Sequence, residues 1–156
     1  MLQTKFLQND FVFLSETQSR GKWQFRLIPQ YHIFRKDREV GKAGGIAWLV
    51  RKEFLDITQQ LDIGIKGTLA LQVKTGDRTL FLVGVYFPPS GATSREVLFE
   101  RSDIEDKMPA LLKQFSDRGE VMLVSDTNAR VGNLNDGKVI FDEELTMRWT
   151  QPGWPR

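Results

Sequence analysis

The stretch that most constrains how this chain can fold is VMLVSDTNAR at residues 121–130. An apolar run at residues 121–124 is followed at once by Ser125-Asp126-Thr127-Asn128. A short, β-branched run after a turn signal predicts a strand that is buried on both faces. Polar side chains where such a strand ends lie on a rigid rim, which suits catalytic oxygens. Asp126 and Asn128 also favour turns, so this stretch alone leaves a plain turn and a site both open.

Length and composition limit the class of protein. A chain of 156 residues is expected to form one domain, and 40% hydrophobic with 27% charged residues is typical of globular proteins. No apolar run approaches the roughly 20 residues of a membrane helix, and residues 1–6 show no secretory signal pattern. The absence of cysteine excludes disulfides, thiolate metal sites and cysteine nucleophiles.

Charge is unevenly spread along the chain. Residues 16–42 contain seven basic against three acidic residues, whereas residues 95–120 contain five basic against seven acidic ones. The first segment indicates either a basic face toward a polyphosphate or a solvated loop. Charge alone does not decide between these two interpretations.

Two further stretches in the first third of the chain show a strand pattern. The apolar residues 11–14 end at Ser15-Glu16, which predicts a buried strand with a carboxylate at its end. Gly44-Gly45 precede a clear strand at residues 46–50. Between them, residues 18–43 have no sustained period and predict a short helix or turn followed by irregular chain.

The middle of the chain predicts an antiparallel meander. Loosely spaced apolar residues over 54–65 favour extended chain before a turn. Residues 69–73 alternate as in a half-buried strand, and the turn signal at 75–78 leads into a returning strand at 79–85. Pairing these strands is favoured because they are close in sequence.

A helix is predicted after the Pro88-Pro89 pair. Thr93 and Glu96 form a capping-box pattern, and Pro109 predicts a break or kink. The apolar residues that recur at helical spacing, and so form the predicted core face, are Val97, Ile104, Met108, Leu111, Leu112 and Phe115. Strands, a helix and another strand indicate one α/β or α+β domain with helices packed on a mixed sheet.

Four polar residues fall at predicted strand ends, namely Glu16, Tyr86, Asp126 and Asn128. Carboxylate and amide oxygens suit a hard cation such as Mg²⁺, which keeps several waters. Such an ion can polarise a phosphoryl oxygen and position water, and a tyrosine hydroxyl can donate to a phosphate oxygen. The pattern is typical of a metal-assisted phosphoester site.

At these residues the chain resembles a known family. The segments DFVFLSET, GGIAWLVR, VGVYFPPSG and VMLVSDTNARVG, in this order and at these spacings, are similar to the endonuclease/exonuclease/phosphatase superfamily. Among its branches they are most similar to the endonuclease domain of non-long-terminal-repeat retrotransposons. The resemblance implies a partial four-layer α/β sandwich of the DNase I-like, exonuclease III-like type, with mixed, mostly antiparallel sheets and flanking helices.

The resemblance also implies an activity and its setting. We expect DNA nicking by phosphodiester hydrolysis that depends on Mg²⁺ or Mn²⁺, with DNA as partner and neither a membrane nor an organic cofactor involved. The expected location is intracellular, and nuclear for a retrotransposon endonuclease. The oligomeric state is left open.

Roles carry over residue by residue. Glu16 matches the metal-binding glutamate, and Tyr86 matches the tyrosine that contacts the phosphate. Asp126 matches the aspartate that helps activate water, and Asn128 the asparagine that helps hold the phosphate and that aspartate. The residues expected to contact nucleic acid are Arg130, Lys22 and Arg35.

The chain also departs from the family pattern. Ser125 stands where the family has glycine, and no segment matches the first family strand with its metal-site asparagine or the final Ser-Asp-His motif. His32, the one histidine, lies outside that motif and receives no role. We therefore expect residues 1–156 to form a single domain that is incomplete at both ends and weak or inactive as a nuclease. A non-catalytic nucleic-acid-binding or decayed fragment, and a phosphomonoesterase of the same fold, are the alternatives.

Overall fold

Two β-sheets and one long helix make up the described part of the chain. The computed structural model describes residues 9–17, 29–38, 44–89 and 94–128. In chain order the elements are β1 (Phe11–Ser15), β2 (Tyr31–Lys36), β3 (Ile46–Arg51), a 3-10 helix (Lys52–Ile57), β4 (Thr58–Leu61), β5 (Thr68–Thr75), β6 (Arg78–Tyr86), α1 (Arg95–Ser116) and β7 (Glu120–Asp126). The first sheet has the order β1-β3-β2 and the second β4-β5-β6-β7. All neighbours are antiparallel except β6 and β7, which run parallel.

The two sheets pack face to face around an apolar core. Trp48 of the first sheet is buried with Leu71 and Leu82 of the second, and its indole Nε1 donates to the carbonyl of Leu69 at 3.2 Å. Gly84 lies where the two sheets approach closely, because a β-carbon there would overlap the ring of Phe13. The first sheet is therefore held directly on β6, one of the strands that carry the site described below.

Helix α1 covers the other face of the second sheet. Phe81 and Phe115 stack with ring centroids 4.3 Å apart, and Ile104 and Met108 are buried in the same cluster. Because α1 connects two parallel strands, β6 and β7 end at the same edge, where Tyr86 lies level with Asp126. The described residues thus form three layers (sheet, sheet and helix) of the predicted four-layer sandwich.

Several predicted elements are confirmed. The strand after Gly44-Gly45 is β3, and the meander through the turn at residues 75–78 is β5 and β6. The prediction that residues 69–73 are half-buried is wrong, because all five are buried. The first sheet covers one face of β5 and α1 lies over the other face of its sheet, so even Gln72, which the alternation assigned to solvent, is 8% exposed.

Two regions contain more regular structure than their sequence patterns predict. Within residues 18–43, predicted to be a short helix or turn followed by irregular chain, Tyr31–Lys36 form the strand β2, which pairs along the full length of β3. Charged residues in this strand hide its alternation, because it is only partly covered. Within residues 54–65, the predicted extended chain is confirmed in the short strand β4, but it is wrong up to Ile57, where the chain forms a 3-10 helix.

Three predictions about β7 and α1 are corrected or fall outside the described residues. The expected burial of residues 121–124 on both faces is wrong: Leu123 is 46% exposed, and among the described strands β7 pairs with β6 alone. At Pro109, where a break or a kink is expected, α1 continues without a break. Thr93 of the predicted capping box lies outside the described residues. None of the helices described is long and apolar enough to cross a membrane.

Candidate active site

Three strand ends from two sheets meet at one edge of the molecule. Strands β6 and β7 end side by side at Tyr86 and Asp126, and β1 of the other sheet ends opposite them. The Oγ of Ser15 donates to Oδ2 of Asp126 at 3.2 Å, which joins the end of β1 to the end of β7. The polar residues that follow these strands are thereby brought together.

The Tyr86 hydroxyl crosses between the sheets. It donates to Oε1 of Glu16 at 2.8 Å, and Tyr86 is 4% exposed whereas Glu16 is exposed to solvent. Burial, followed by the hydrogen bond to Glu16 and the negative charge of that residue, raises the pKa of Tyr86 to about 12. The positive charge of Arg38 opposes this shift, and Asp126 adds slightly to it. Tyr86 therefore holds its proton at neutral pH and acts as a hydrogen-bond donor.

Asp126 receives a donor on each carboxylate oxygen. Ser15 donates to Oδ2, and the backbone N–H of Asn128 donates to Oδ1 at 3.3 Å. The Asn128 side chain is held in turn, because its Nδ2 donates to the carbonyl of Phe87 at 2.9 Å. The backbone N–H of Phe87 in turn donates to the carbonyl of Asp126 at 2.9 Å. Asp126 and Asn128 are thus fixed on each other and on the end of β6.

Two of these residues have an unusual backbone. Within the described ranges, Glu16 (φ +51°) and Asn128 (φ +44°) are the non-glycine residues in the left-handed region. Asparagine visits this region readily, but glutamate does so at a cost of about 1–2 kcal/mol. Strain of this kind persists where the surrounding structure holds it, and it clusters at functional sites. Its presence at Glu16, one of the four predicted site residues, is a structural argument for a site here.

A pocket of about 330 Å³ lies beside Tyr86. Among its walls are Lys36, Arg38 and Glu100, and Arg38 pairs with Glu100 at 2.6 Å. Lys36 Nζ donates to the carbonyl of Ile65 at 2.7 Å. Sequence reasoning missed all three lining residues. One signal was available for Glu100, which precedes the core residue Ile104 by four positions and so occupies the apolar face of α1.

One of the three predicted nucleic-acid contacts falls within the described residues. Arg35 lies in β2 and pairs with Asp37 at 3.5 Å. Lys22 and Arg130 lie outside the described residues. His32, to which no role was assigned, is exposed in β2 with its ring edge-on to Phe34.

The carboxylates of this edge suit a hydrated divalent ion. Across the described ranges no group of three or more His, Cys, Asp or Glu residues is placed to hold a metal. The donors available are Glu16, which is exposed, and Asp126, and both carry negative charge close enough to affect the Tyr86 phenol. Mg²⁺ is commonly held by one or two carboxylates together with waters and substrate phosphate, so this donor set fits Mg²⁺ and does not fit structural Zn²⁺.

Comparison with known proteins identifies the fold. No family model and no curated protein sequence matches the chain. Truncated TDP2 from Caenorhabditis elegans is among the similar solved structures, with 20% identity and a TM-score of 0.53 over 81% of this chain and 52% of that chain. The human Nocturnin catalytic domain with bound sulfate has 13% identity and a TM-score of 0.55 over 83% of this chain and 55% of that chain. The 3′ phosphatase NExo from Neisseria, bound to a product DNA hairpin, has 14% identity and a TM-score of 0.60 over 85% of this chain and 53% of that chain.

The described elements account for this similarity. The chain spans about half the length of each of these structures. The mixed, mostly antiparallel sheets and the packed helix confirm the predicted fold class. The fold of this chain is therefore DNase I-like.

Proposed function

We propose that this chain carries part of a metal-dependent phosphodiester-hydrolysing site that nicks DNA, of the retrotransposon endonuclease type. The observation that carries the proposal is the meeting of Glu16, Tyr86, Asp126 and Asn128 at one edge, tied by hydrogen bonds across two sheets. The strained backbone of Glu16 supports it, because such strain accumulates at functional sites.

Each residue has a distinct role in this proposal. The Asp126 carboxylate accepts a proton from the water whose oxygen bonds to phosphorus, the bond from phosphorus to the leaving oxygen breaks, and the leaving oxygen takes up a proton from solvent. When substrate binds, the one hydroxyl hydrogen of Tyr86 turns from Glu16 to a phosphate oxygen as charge develops there, which leaves the Glu16 carboxylate available to a cation. Asn128 keeps Asp126 in place and adds an amide near the phosphate. Glu16 would hold Mg²⁺ or Mn²⁺, which supplies Lewis-acid polarisation of the phosphoryl oxygen when bound.

DNA is the proposed substrate for two reasons. The segment 16–42 has an excess of positive charge, as expected of a surface that faces a polyphosphate. The segments YFPPSG and DTNAR resemble the retrotransposon branch more than the phosphatases of the fold. Lys22, Arg35 and Arg130 are the proposed phosphate contacts, and the nucleus is the proposed place of action.

A phosphomonoesterase is the second candidate. One observation favours it: NExo, which shares the fold, is described as a 3′ phosphatase bound to a product DNA hairpin. The two candidates differ in substrate, because a phosphatase removes a terminal phosphate and a nicking enzyme cleaves an internal phosphodiester. An oligonucleotide with a 3′ phosphate and a closed circular plasmid therefore separate them.

We further propose that hydrolysis by this chain alone is weak. It spans about half of each structure that it resembles, so residues from the other half are expected to complete the site. Loss of one general acid or base typically reduces the rate by about 10²–10⁴-fold.

The test is Mg²⁺-dependent nicking of supercoiled plasmid by this chain and by a version extended at both ends. Nicking by the extended version that Asp126→Ala abolishes supports the proposal. Removal of a 3′ phosphate without nicking supports the phosphatase instead. Salt-sensitive DNA binding with no hydrolysis by either version overturns both and favours a binding fragment. Rapid nicking by the short chain overturns the statement that the other half is required.

A further inference from the structure

Ser15 has no role in the site as described so far, yet it makes a long-range contact there. Its Oγ donates to Oδ2 of Asp126 at 3.2 Å, in a partly buried bond between residues 111 positions apart. Ser15 ends β1 of the first sheet, and Asp126 ends β7 of the second. The bond therefore joins the two sheets at the edge where the candidate site lies.

The backbone of β1 explains how Ser15 and its neighbour both reach the second sheet. Ser15 lies on the same face of β1 as Phe11 and Phe13, which pack into the core between the sheets. In a continued strand, Glu16 would point to the opposite face. The left-handed conformation of Glu16 ends the alternation, and its carboxylate accepts from Tyr86 of the second sheet. Consecutive residues thus contact the adjacent strands β7 and β6.

The orientation of the Asp126 carboxylate depends on both of its donors. The bond to Oδ2 comes from the first sheet through Ser15, and the bond to Oδ1 comes from the Asn128 amide beyond β7. The terminal torsion of an aspartate side chain is broad, so one donor alone allows the carboxylate plane to rotate. Two donors on different oxygens restrict that rotation.

We propose that Ser15 is a positioning residue that fixes the carboxylate plane of Asp126 toward the attacking water. The catalytic consequence rests on the function proposed above, whereas the hydrogen bond does not. A 1 Å displacement of a reacting group can reduce a rate by about 10²-fold. Loss of the Ser15 hydroxyl therefore lowers kcat while leaving substrate affinity nearly unchanged.

The first test is a double-mutant cycle in the unfolding equilibrium, using Ser15→Ala, Asp126→Ala and the double variant. A hydrogen bond of ordinary strength predicts a coupling of about three- to tenfold in the unfolding constant. The matched control is Ser102→Ala with Asp106→Ala, a serine-to-aspartate bond of 3.3 Å on the exposed face of α1. We expect less than twofold coupling in the control. If the effects of Ser15→Ala and Asp126→Ala on the unfolding constant are independent, the inference is overturned, regardless of the result of any activity assay.

The second test uses nicking kinetics of the extended chain. Ser15→Ala is expected to lower kcat by about 10- to 100-fold with KM within about twofold, as befits lost orientation. Ser15→Thr keeps the hydroxyl and is expected to restore most of kcat, and Ser102→Ala is expected to match the parent. A Ser15→Ala variant with unchanged kcat, or a Thr variant as slow as the Ala variant, contradicts the positioning role. If the parent itself does not hydrolyse DNA, the proposed function and the catalytic consequence fail together, and the unfolding cycle still decides whether Ser15 fixes Asp126.

Discussion

Tyr86 donates its phenolic hydrogen to Glu16 across 2.8 Å, between residues 70 positions apart on different sheets. The same contact serves the fold and the site, because it joins β6 to the end of β1 and fixes both side chains. Burial and the neighbouring carboxylate together keep the phenol protonated. This relationship yields predictions that need no enzymatic activity.

The first prediction concerns the titration of Tyr86. The chain has two tyrosines, so Tyr31→Phe leaves Tyr86 as the one phenol to observe by ultraviolet absorbance in a chelator-containing buffer. Glu16→Gln in this background removes a negative charge and is expected to lower the pKa from about 12. The pKa should stay above 10, since burial is the larger cause. The control is Glu120→Gln, which removes the negative charge of an exposed ion pair with Arg78 and should leave the pKa of Tyr86 unchanged. An equal titration midpoint with and without Glu16 would contradict the assigned contact.

The second prediction concerns stability at alkaline pH. The pKa of Tyr86 is raised in the folded state, so between pH 10 and about 12 the unfolded chain loses this proton first. Folding stability attributable to Tyr86 is therefore complete below pH 10 and falls as pH rises toward 12, by at most about 2–3 kcal/mol. Urea unfolding at pH 9 and pH 11.5 should show a smaller fall for Tyr86→Phe than for the parent. Identical falls would show that the phenol is not held protonated.

The third prediction concerns backbone strain at Glu16. Glu16→Gly and Glu16→Ala both remove the carboxylate, so their difference reports on the left-handed conformation at φ +51°. The glycine variant is expected to be more stable by about 1–2 kcal/mol. Gln59, exposed in β4, is the matched control, where alanine should be more stable than glycine by about 0.5–1 kcal/mol. The same order at both positions in urea unfolding would refute the strain at Glu16.

The fourth prediction concerns two ion pairs that differ in burial. Arg38–Glu100 and Arg78–Glu120 both have a separation of 2.6 Å, but the Glu100 side chain is 9% exposed and the Glu120 side chain is 54% exposed. Glu100→Gln removes the mostly buried negative charge that faces the Arg38 guanidinium and is expected to cost about 2–3 kcal/mol. Glu120→Gln is expected to cost less than about 1 kcal/mol. Equal losses in the free energy of unfolding, measured with urea, would mean that the ion pair of Arg38 with Glu100 does not stabilise the contact between the end of β2 and α1.

The sequence predicted the strand ends better than the contacts around them. Asp126 and Asn128 follow an apolar run, and Tyr86 precedes two prolines, so local patterns sufficed to place them at an edge. Their proximity to Glu16 was not local information. It depends on how the two sheets pack, which the sequence indicates only through the resemblance to a family. The left-handed backbone that directs the Glu16 side chain toward Tyr86 is also not indicated by the sequence, because the position is not a glycine.

Other features were hidden for identifiable reasons. Strand β2 carries Arg35 and Lys36 on a partly covered sheet, so its apolar alternation is weak. Leu123 has apolar neighbours in the sequence and so resembles a core residue, but β7 pairs with β6 alone among the described strands, and Leu123 is 46% exposed. Ser15 is a short polar residue at a strand end, and its role as a donor to Asp126 appears only when both sheets are placed. Tertiary contacts of this kind leave no periodic signal.

The most direct measurement of the central claim compares two aspartates in the plasmid-nicking assay, using the extended chain with Mg²⁺. Asp126→Asn removes the proposed proton acceptor with almost no change in shape, and the rate is expected to fall by at least about 10²-fold. Asp117→Asn makes the same chemical change at the exposed end of α1, where the carboxylate pairs with Lys113, and the rate is expected to stay within about twofold of the parent. Nicking that Asp126→Asn leaves intact, or that both variants reduce equally, would contradict the assignment of this edge as the hydrolytic site.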